Sequence, residues 1–160
     1  MEHFMIRRMD VDDLDAVCRH REAMFLEAER PRDMVEAMRQ PFRDWLRPKL
    51  LDGSYLGWAV EDEGVVVGGS GLMVVDWPPH PLHPAEARRG YLLNVWVDPD
   101  HRGKGLAKRL VRAACDCARA LGISYMTLHA SQLGRPVYEG LGWRETDEMS
   151  LLFSEGSAAL

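Results

Sequence analysis

One stretch restricts the fold of this chain more than any other. It runs Tyr91-Leu92-Leu93-Asn94-Val95-Trp96-Val97, then Asp98-Pro99-Asp100-His101, then Arg102-Gly103-Lys104-Gly105-Leu106-Ala107. The first seven residues are apolar enough to form a buried strand. Pro99 has no N–H for a ladder, so the strand stops before it. Leu106, Leu110, Val111, Ala114, Ala118 and Leu121 then recur at helical spacing, which predicts a helix from about Gly103 to Leu121. Two glycines therefore stand where a strand becomes a helix. The first turn of a helix carries unpaired N–H groups and the positive end of the macrodipole. Small residues there let an anion reach the backbone, so the turn is a candidate phosphate site.

Two common phosphate loops are excluded. No Ser or Thr follows Lys104, as a nucleotide-triphosphate loop requires, and the G-x-G-x-x-G dinucleotide pattern is missing. The order Arg102-x-x-Gly105-x-Ala107 after an apolar strand resembles the coenzyme A signature of the GNAT superfamily of N-acetyltransferases. The strand Asn94-Val95-Trp96-Val97-Asp98-Pro99 resembles the one preceding that signature. Val137-Tyr138-Glu139-Gly140-Leu141-Gly142-Trp143 resembles the family's later L-Y-x-x-x-G-F segment. The likeness is strongest over residues 91–143 and looser elsewhere.

The chain is read as a single domain, 1–160, large enough for a proper core. The formal net charge of −5 argues against nucleic acid as main partner. No apolar run reaches membrane-spanning length, and no signal-peptide core is seen, so neither a membrane nor export is expected. Cys18, Cys115 and Cys117 suggest neither disulfides nor a metal site, and a reducing cytoplasm fits them. His80 and His83 sit in a proline-locked segment without the partners a metal needs.

The remaining elements follow in order. Residues 4–9 read as a strand, and Asp10 as the cap of a helix bearing Leu14, Val17, Cys18, Met24 and Phe25. Arg21 falls on that apolar side, with its head expected in solvent or, alternatively, against an acidic group in a cleft. A second helical region begins near Pro31 and is expected to be cut into short pieces by Pro41 and Pro48. Tyr55–Glu61 and Val65–Val75 form a hairpin. Gly68, Gly69 and Gly71 within it imply close approach, by a helix or by a ligand. Residues 76–90 form a proline-rich loop whose Trp77 is either a wall of the site or a surface packing residue. Ile123–Ala130 is the next strand, Pro136–Leu141 a short helix, Trp143–Phe153 the final strand or strands, and 156–160 a frayed tail.

The resemblance implies an α+β, three-layer fold with a mixed, twisted sheet and helices on both faces. It implies acetyl-CoA as cosubstrate and no metal. The pantetheine arm would run along Val95, Trp96 and Val97. Arg102, Gly103, Lys104, Gly105, Leu106 and Ala107 would hold the pyrophosphate, with Lys108 adding charge. Ser131 stands where the family often has Asn, in reach of the pantetheine arm or a water. Tyr138 would be the general acid for the leaving thiolate; read alone, it is equally an aromatic packing on the sheet. His129, Glu22 and Glu27 are the nearest candidates for a base. The acceptor would be a small-molecule or peptide amine, attacking directly in a ternary complex, and a homodimer is left open. The alternatives are a non-catalytic acyl-CoA-binding or regulatory domain and a phosphate module for another nucleotide.

Overall fold

The structure is a computed structural model and describes residues 3–153. The elements are β1 (Phe4–Arg8), α1 (Leu14–Glu27), α2 (Arg32–Asp52), β2 (Tyr55–Asp62), β3 (Val65–Asp76), β4 (Arg88–Val97), α3 (Leu106–Ala120), β5 (Met126–Leu128) and α4 (Arg135–Gly140). The strands form one sheet in the order β1-β2-β3-β4-β5. Neighbours are antiparallel except β4 and β5, which are parallel and joined by α3. This is the mixed sheet that the resemblance implied.

Strand alternation divides the core between two faces. On one face α3 buries Leu106, Leu110, Val111, Ala114 and Ala118 against Trp58, Val60, Leu72 and Leu92. On the other, α1 and α2 bring Leu14, Val17, Phe42, Leu46 and Leu50 onto Tyr55 and Leu93. A capping box starts the α1 region: Asp10 accepts from the Asp12 N–H at 2.8 Å, and Asp13 from the Asp10 N–H at 2.9 Å.

Four expectations are corrected. Pro41 and Pro48 do not divide α2, which is continuous. Each proline costs one intrahelical bond and a steric clash, but both lie on the exposed side. Buried Val35, Phe42, Leu46 and Leu50 keep helical spacing and outweigh that cost. The helix after the two glycines begins only at Leu106. β5 is three residues long rather than eight. Finally, no strand forms over residues 143–153 among the described residues. Met149, Leu151, Leu152 and Phe153 are exposed there, and the outer edge of β5 has no ladder partner among the described residues.

The proline-rich loop is shorter than expected, because Asp76 and Arg88 still pair across β3 and β4. Trp77 packs under the Arg89 guanidinium, 4.2 Å from its ring centroid, at the starting end of β4. His83 stacks on Tyr125, and His80 on His83. Cys18, Cys115 and Cys117 are free thiols. No described helix is long and apolar enough to cross a membrane.

Candidate active site

The site begins with a defect in β4. Leu93 pairs with Gly71 and Trp96 with Gly69, so Asn94 and Val95 together oppose Ser70. That is a β-bulge, and Asn94 takes the left-handed φ of 54° within it. Two contacts hold Asn94 there. Its Nδ2 donates to the Tyr55 hydroxyl at 3.0 Å, and its Oδ1 accepts from Arg21 Nη1 at 2.8 Å. Tyr55 reaches Asn94 across β3 because residue 71 is glycine: a Cβ there would lie 2.1 Å from the Tyr55 hydroxyl. Close approach thus explains Gly71, but a neighbouring strand's tyrosine makes it, not a helix or ligand. Gly68 likewise faces the Trp96 carbonyl, 2.7 Å from where its Cβ would be.

The bulge opens a gap. β4 and β5 pair only from Gly90–Met126 to Leu92–Leu128. Beyond those residues the two parallel strands have no common ladder. The ladder to β5 therefore does not include the backbone of Asn94 or Val95. Of the residues expected along it, Val95 is half-buried and Val97 buried. Trp96 stacks on His20 at 4.8 Å, and its Nε1 donates to Glu27 at 3.1 Å.

Past the gap, Asp98 caps a single 3₁₀ turn over Pro99–His101. Gly103 and Gly105 follow with φ of 77° and 76°, a conformation that only glycine takes without strain. A Cβ at either would meet nothing within 4 Å. The turn is therefore open on its outer side, with the first N–H groups of α3 at its base. Leu106 is buried and anchors the helix start, and Ala107 is half-buried. This cradle fits a pyrophosphate: small, electropositive and accessible.

The Arg102 side chain is engaged within the chain. Its Nε donates to the Val97 carbonyl at 2.8 Å, and its Nη2 to both Glu27 oxygens at 2.8 and 2.9 Å. It fastens the turn to α1 and to the end of β4. Lys104 lies over the Phe4 ring at 5.2 Å, while Lys108 is exposed. Glu27 is thus engaged, and Glu22 pairs with Arg39 at 2.7 Å.

On the other side of the gap, Tyr138 projects from α4 into a cleft of about 700 Å³ lined by Met126–Ala130 and residues 143–146. Burial pushes its hydroxyl up to about 12, with the nearby Tyr91 adding to the shift, so it is protonated at neutral pH. It packs edge-on to Trp143 at 6.1 Å. Ser131 uses its hydroxyl locally, accepting from the Gly134 N–H at 3.1 Å and closing the turn into α4. Tyr91 and His129 hydrogen-bond side chain to side chain across β4 and β5.

Sequence reasoning missed Tyr91 and the structural role of Asn94. A polar amide within an otherwise apolar strand was the available signal. It also expected the Arg21 head in solvent or against an acid; instead it is partly buried and meets Asn94. Among the described residues no group of three or more His, Cys, Asp or Glu side chains is arranged for a metal.

A family model described as the acetyltransferase (GNAT) family matches residues 14–143. A solved GCN5-related N-acetyltransferase from Ralstonia eutropha JMP134 is 49% identical, with a TM-score of 0.92 over 94% of this chain and 98% of that one. A predicted acetyltransferase from Clostridium acetobutylicum, solved with acetyl-CoA, is 24% identical and shares the fold, with a TM-score of 0.85 over 94% of this chain and 96% of that one. Human N-acetyltransferase 8B is 32% identical over 115 residues, 70% of this chain and 48% of its own length. The chain thus spans about half the length of the first curated relatives it matches.

Proposed function

This chain belongs to the acetyltransferase (GNAT) family, and from that premise we propose that it is an acetyl-CoA-dependent N-acetyltransferase acting on a primary amine by direct attack. The observation that carries the reading is the bulge in β4 followed by an open glycine turn at the start of α3, with Tyr138 in the cleft beside β5. Acetyl-CoA would supply the activated acetyl group as a thioester. Gly103 to Ala107 would hold its pyrophosphate through backbone N–H groups, and Val95 to Val97 its amide arm, in the manner of an added strand.

The chain's residues then have three tasks. A backbone N–H at the bulge stabilises negative charge on the acetyl oxygen. As the amine nitrogen bonds to the acetyl carbon and the carbon–sulfur bond breaks, the Tyr138 hydroxyl gives its proton to the departing thiolate. The proton lost by the amine passes to solvent or to the Tyr91–His129 pair at the edge of the gap. The absence of any cysteine from the gap supports direct attack over a covalent acetyl-enzyme.

The test has two parts. Acetyl-CoA should raise the melting temperature by mass action, and Gly105→Glu should abolish the shift by placing charge and bulk in the cradle. Tyr138→Phe should lower kcat by about 10²-fold with acetyl-CoA affinity intact. Binding without turnover of any amine would mark a non-catalytic acyl-CoA-binding domain instead.

A second copy of the chain is the protein partner favoured by the surface. The outer edge of β5 has no ladder partner, and the apolar segment Met149–Phe153 has no strand partner, among the described residues. Each offers what the other lacks. Light scattering should show a dimer that Leu151→Glu dissociates; a monomeric parent protein would overturn this. A reducing cytoplasm suits the three free thiols.

A further inference from the structure

Arg21 has an environment unlike that of three other arginines drawn into the fold. Arg7 meets Asp13 and Glu61, Arg89 meets Glu148, and Arg102 meets Glu27. Arg21 forms no ion pair among the described residues. Its guanidinium carbon lies 4.9 Å from the Phe25 ring centroid and 4.6 Å from that of Phe42, between α1 and α2. Nη1 donates to Asn94 at 2.8 Å, and Nε is buried with no hydrogen-bond partner. A guanidinium has five N–H donors in a fixed fork, and a buried cation without a counter-charge is costly. Aromatic faces return part of that cost but offer nothing to the in-plane donors.

Its position relates it to the reaction. Asn94, its hydrogen-bond partner, is the left-handed residue of the β4 bulge. The charge of Arg21 is also felt at Tyr55 and at Tyr91, and Tyr91 touches His129 beside the gap. A planar fork with unused in-plane donors matches a carboxylate. A single cation balances one negative charge, whereas a phosphate monoester carries close to two near neutral pH. The fork lies against the Phe25 and Phe42 rings of two packed helices and is only partly exposed, which suits a small molecule over a protein tail.

We propose that Arg21 is the carboxylate anchor of the acceptor, and that the acceptor is a small primary amine carrying a carboxylate, of amino-acid type. The carboxylate meets the guanidinium of Arg21, and the amine points toward the bulge. Arg21 then selects the acceptor without touching the acetyl group. The inference rests on the N-acetyltransferase reading above.

The experiment compares free amino acids with their carboxamides, phosphoethanolamine and a tripeptide as acceptors, using the parent enzyme, Arg21→Lys and Arg21→Met. The acids should exceed their amides by about tenfold or more in kcat/KM. Arg21→Met should erase that preference through acceptor KM, with acetyl-CoA KM unmoved, and Arg21→Lys should keep part of it. A second readout needs no turnover. The Arg21 Nε–H resonance should shift on titration with N-acetylalanine, which cannot be acetylated again at nitrogen, and not with N-acetylalaninamide. Equal use of acids and amides, preference for the phosphate or the peptide, or an acid preference surviving in Arg21→Met would overturn the proposal. If acetyl-CoA binds but no amine is acetylated, the activity reading fails, and the resonance then decides the anchor: no shift with N-acetylalanine overturns it as well.

Discussion

Arg7 on β1 and Arg21 on α1 are both partly buried cations, and the fold treats them in opposite ways. The Arg7 fork meets Asp13 through two bonds of 2.8 and 2.9 Å and Glu61 through one of 2.6 Å. Burial alone would raise the Asp13 carboxyl, but the Arg7 fork and the Asp10 N–H outweigh it and hold it below its ordinary value. Asp13 also braces the turn that starts α1. That corner is electrostatically complete. Around Arg21 the balance runs the other way: burial lowers its pKa, and the nearby tyrosines compensate only in part. One region has every charge answered inside the chain. The other is short of one negative charge, beside the bulge in β4 on which the proposed chemistry rests. Incomplete electrostatics of this kind points to a site, as complete pairing points to structure.

Four perturbations test that contrast, in order of expected size. Asp13→Ala should be the most damaging, since it strands the Arg7 fork and removes a cap contact at a position only 5% exposed. A loss of about 3 kcal/mol or more in chemical denaturation is expected, with kinetics per folded molecule unchanged. A smaller stability loss would mean that the corner is less closed than its geometry implies.

Acid pH should separate the two regions. Burial, with Arg19 adding to it, lowers His20 from 6.5 to about 4, whereas Asp98 and Asp13 oppose that shift. As pH falls through this window the unfolded chain takes up a proton that the folded one refuses. Stability should therefore drop by roughly 3 kcal/mol between about pH 6.5 and 4, and no further from this group below that. Asp13 acts lower: its contribution is present above the unfolded carboxylate value of about 3.9 and is lost as pH falls through its depressed folded value. His20→Gln should flatten the upper window and leave the lower one, as read by denaturation across a pH series.

Arg21→Met should cost about 1–2 kcal/mol: exchanging a cation without a counter-charge for an apolar chain is close to neutral, and the loss comes from the hydrogen bond to buried Asn94. Its effect belongs instead in acceptor KM. A stability loss as large as that of Asp13→Ala would make Arg21 structural and erase the contrast. Tyr55→Phe should be the mildest change, at about 1 kcal/mol, since it removes one hydrogen bond from Asn94 and keeps the ring. A rise in acceptor KM in this variant would show that the orientation of Asn94 is transmitted to Arg21.

Local pattern was enough for much of this protein. The apolar run at 91–97, the glycine turn and the periodic leucines and alanines of α3 state their own structure, because strand, turn and helix each impose a short-range rule on neighbouring residues. The same rules placed Gly103 and Gly105 at the foot of a helix and Tyr138 on a later one. Tertiary structure decided the rest. It kept α2 whole through two prolines, since buried Phe42, Leu46 and Leu50 outweighed what local propensity disfavoured. It shortened β5, whose ladder with β4 runs only from Gly90–Met126 to Leu92–Leu128 and stops just before the β4 bulge. It left residues 143–153 without a strand among the described residues, where period-two patterning alone could not supply a partner. It turned Arg102 toward Glu27 and left Arg21 without a carboxylate, because whether a charge is answered depends on groups distant in the sequence that meet only when the chain has folded.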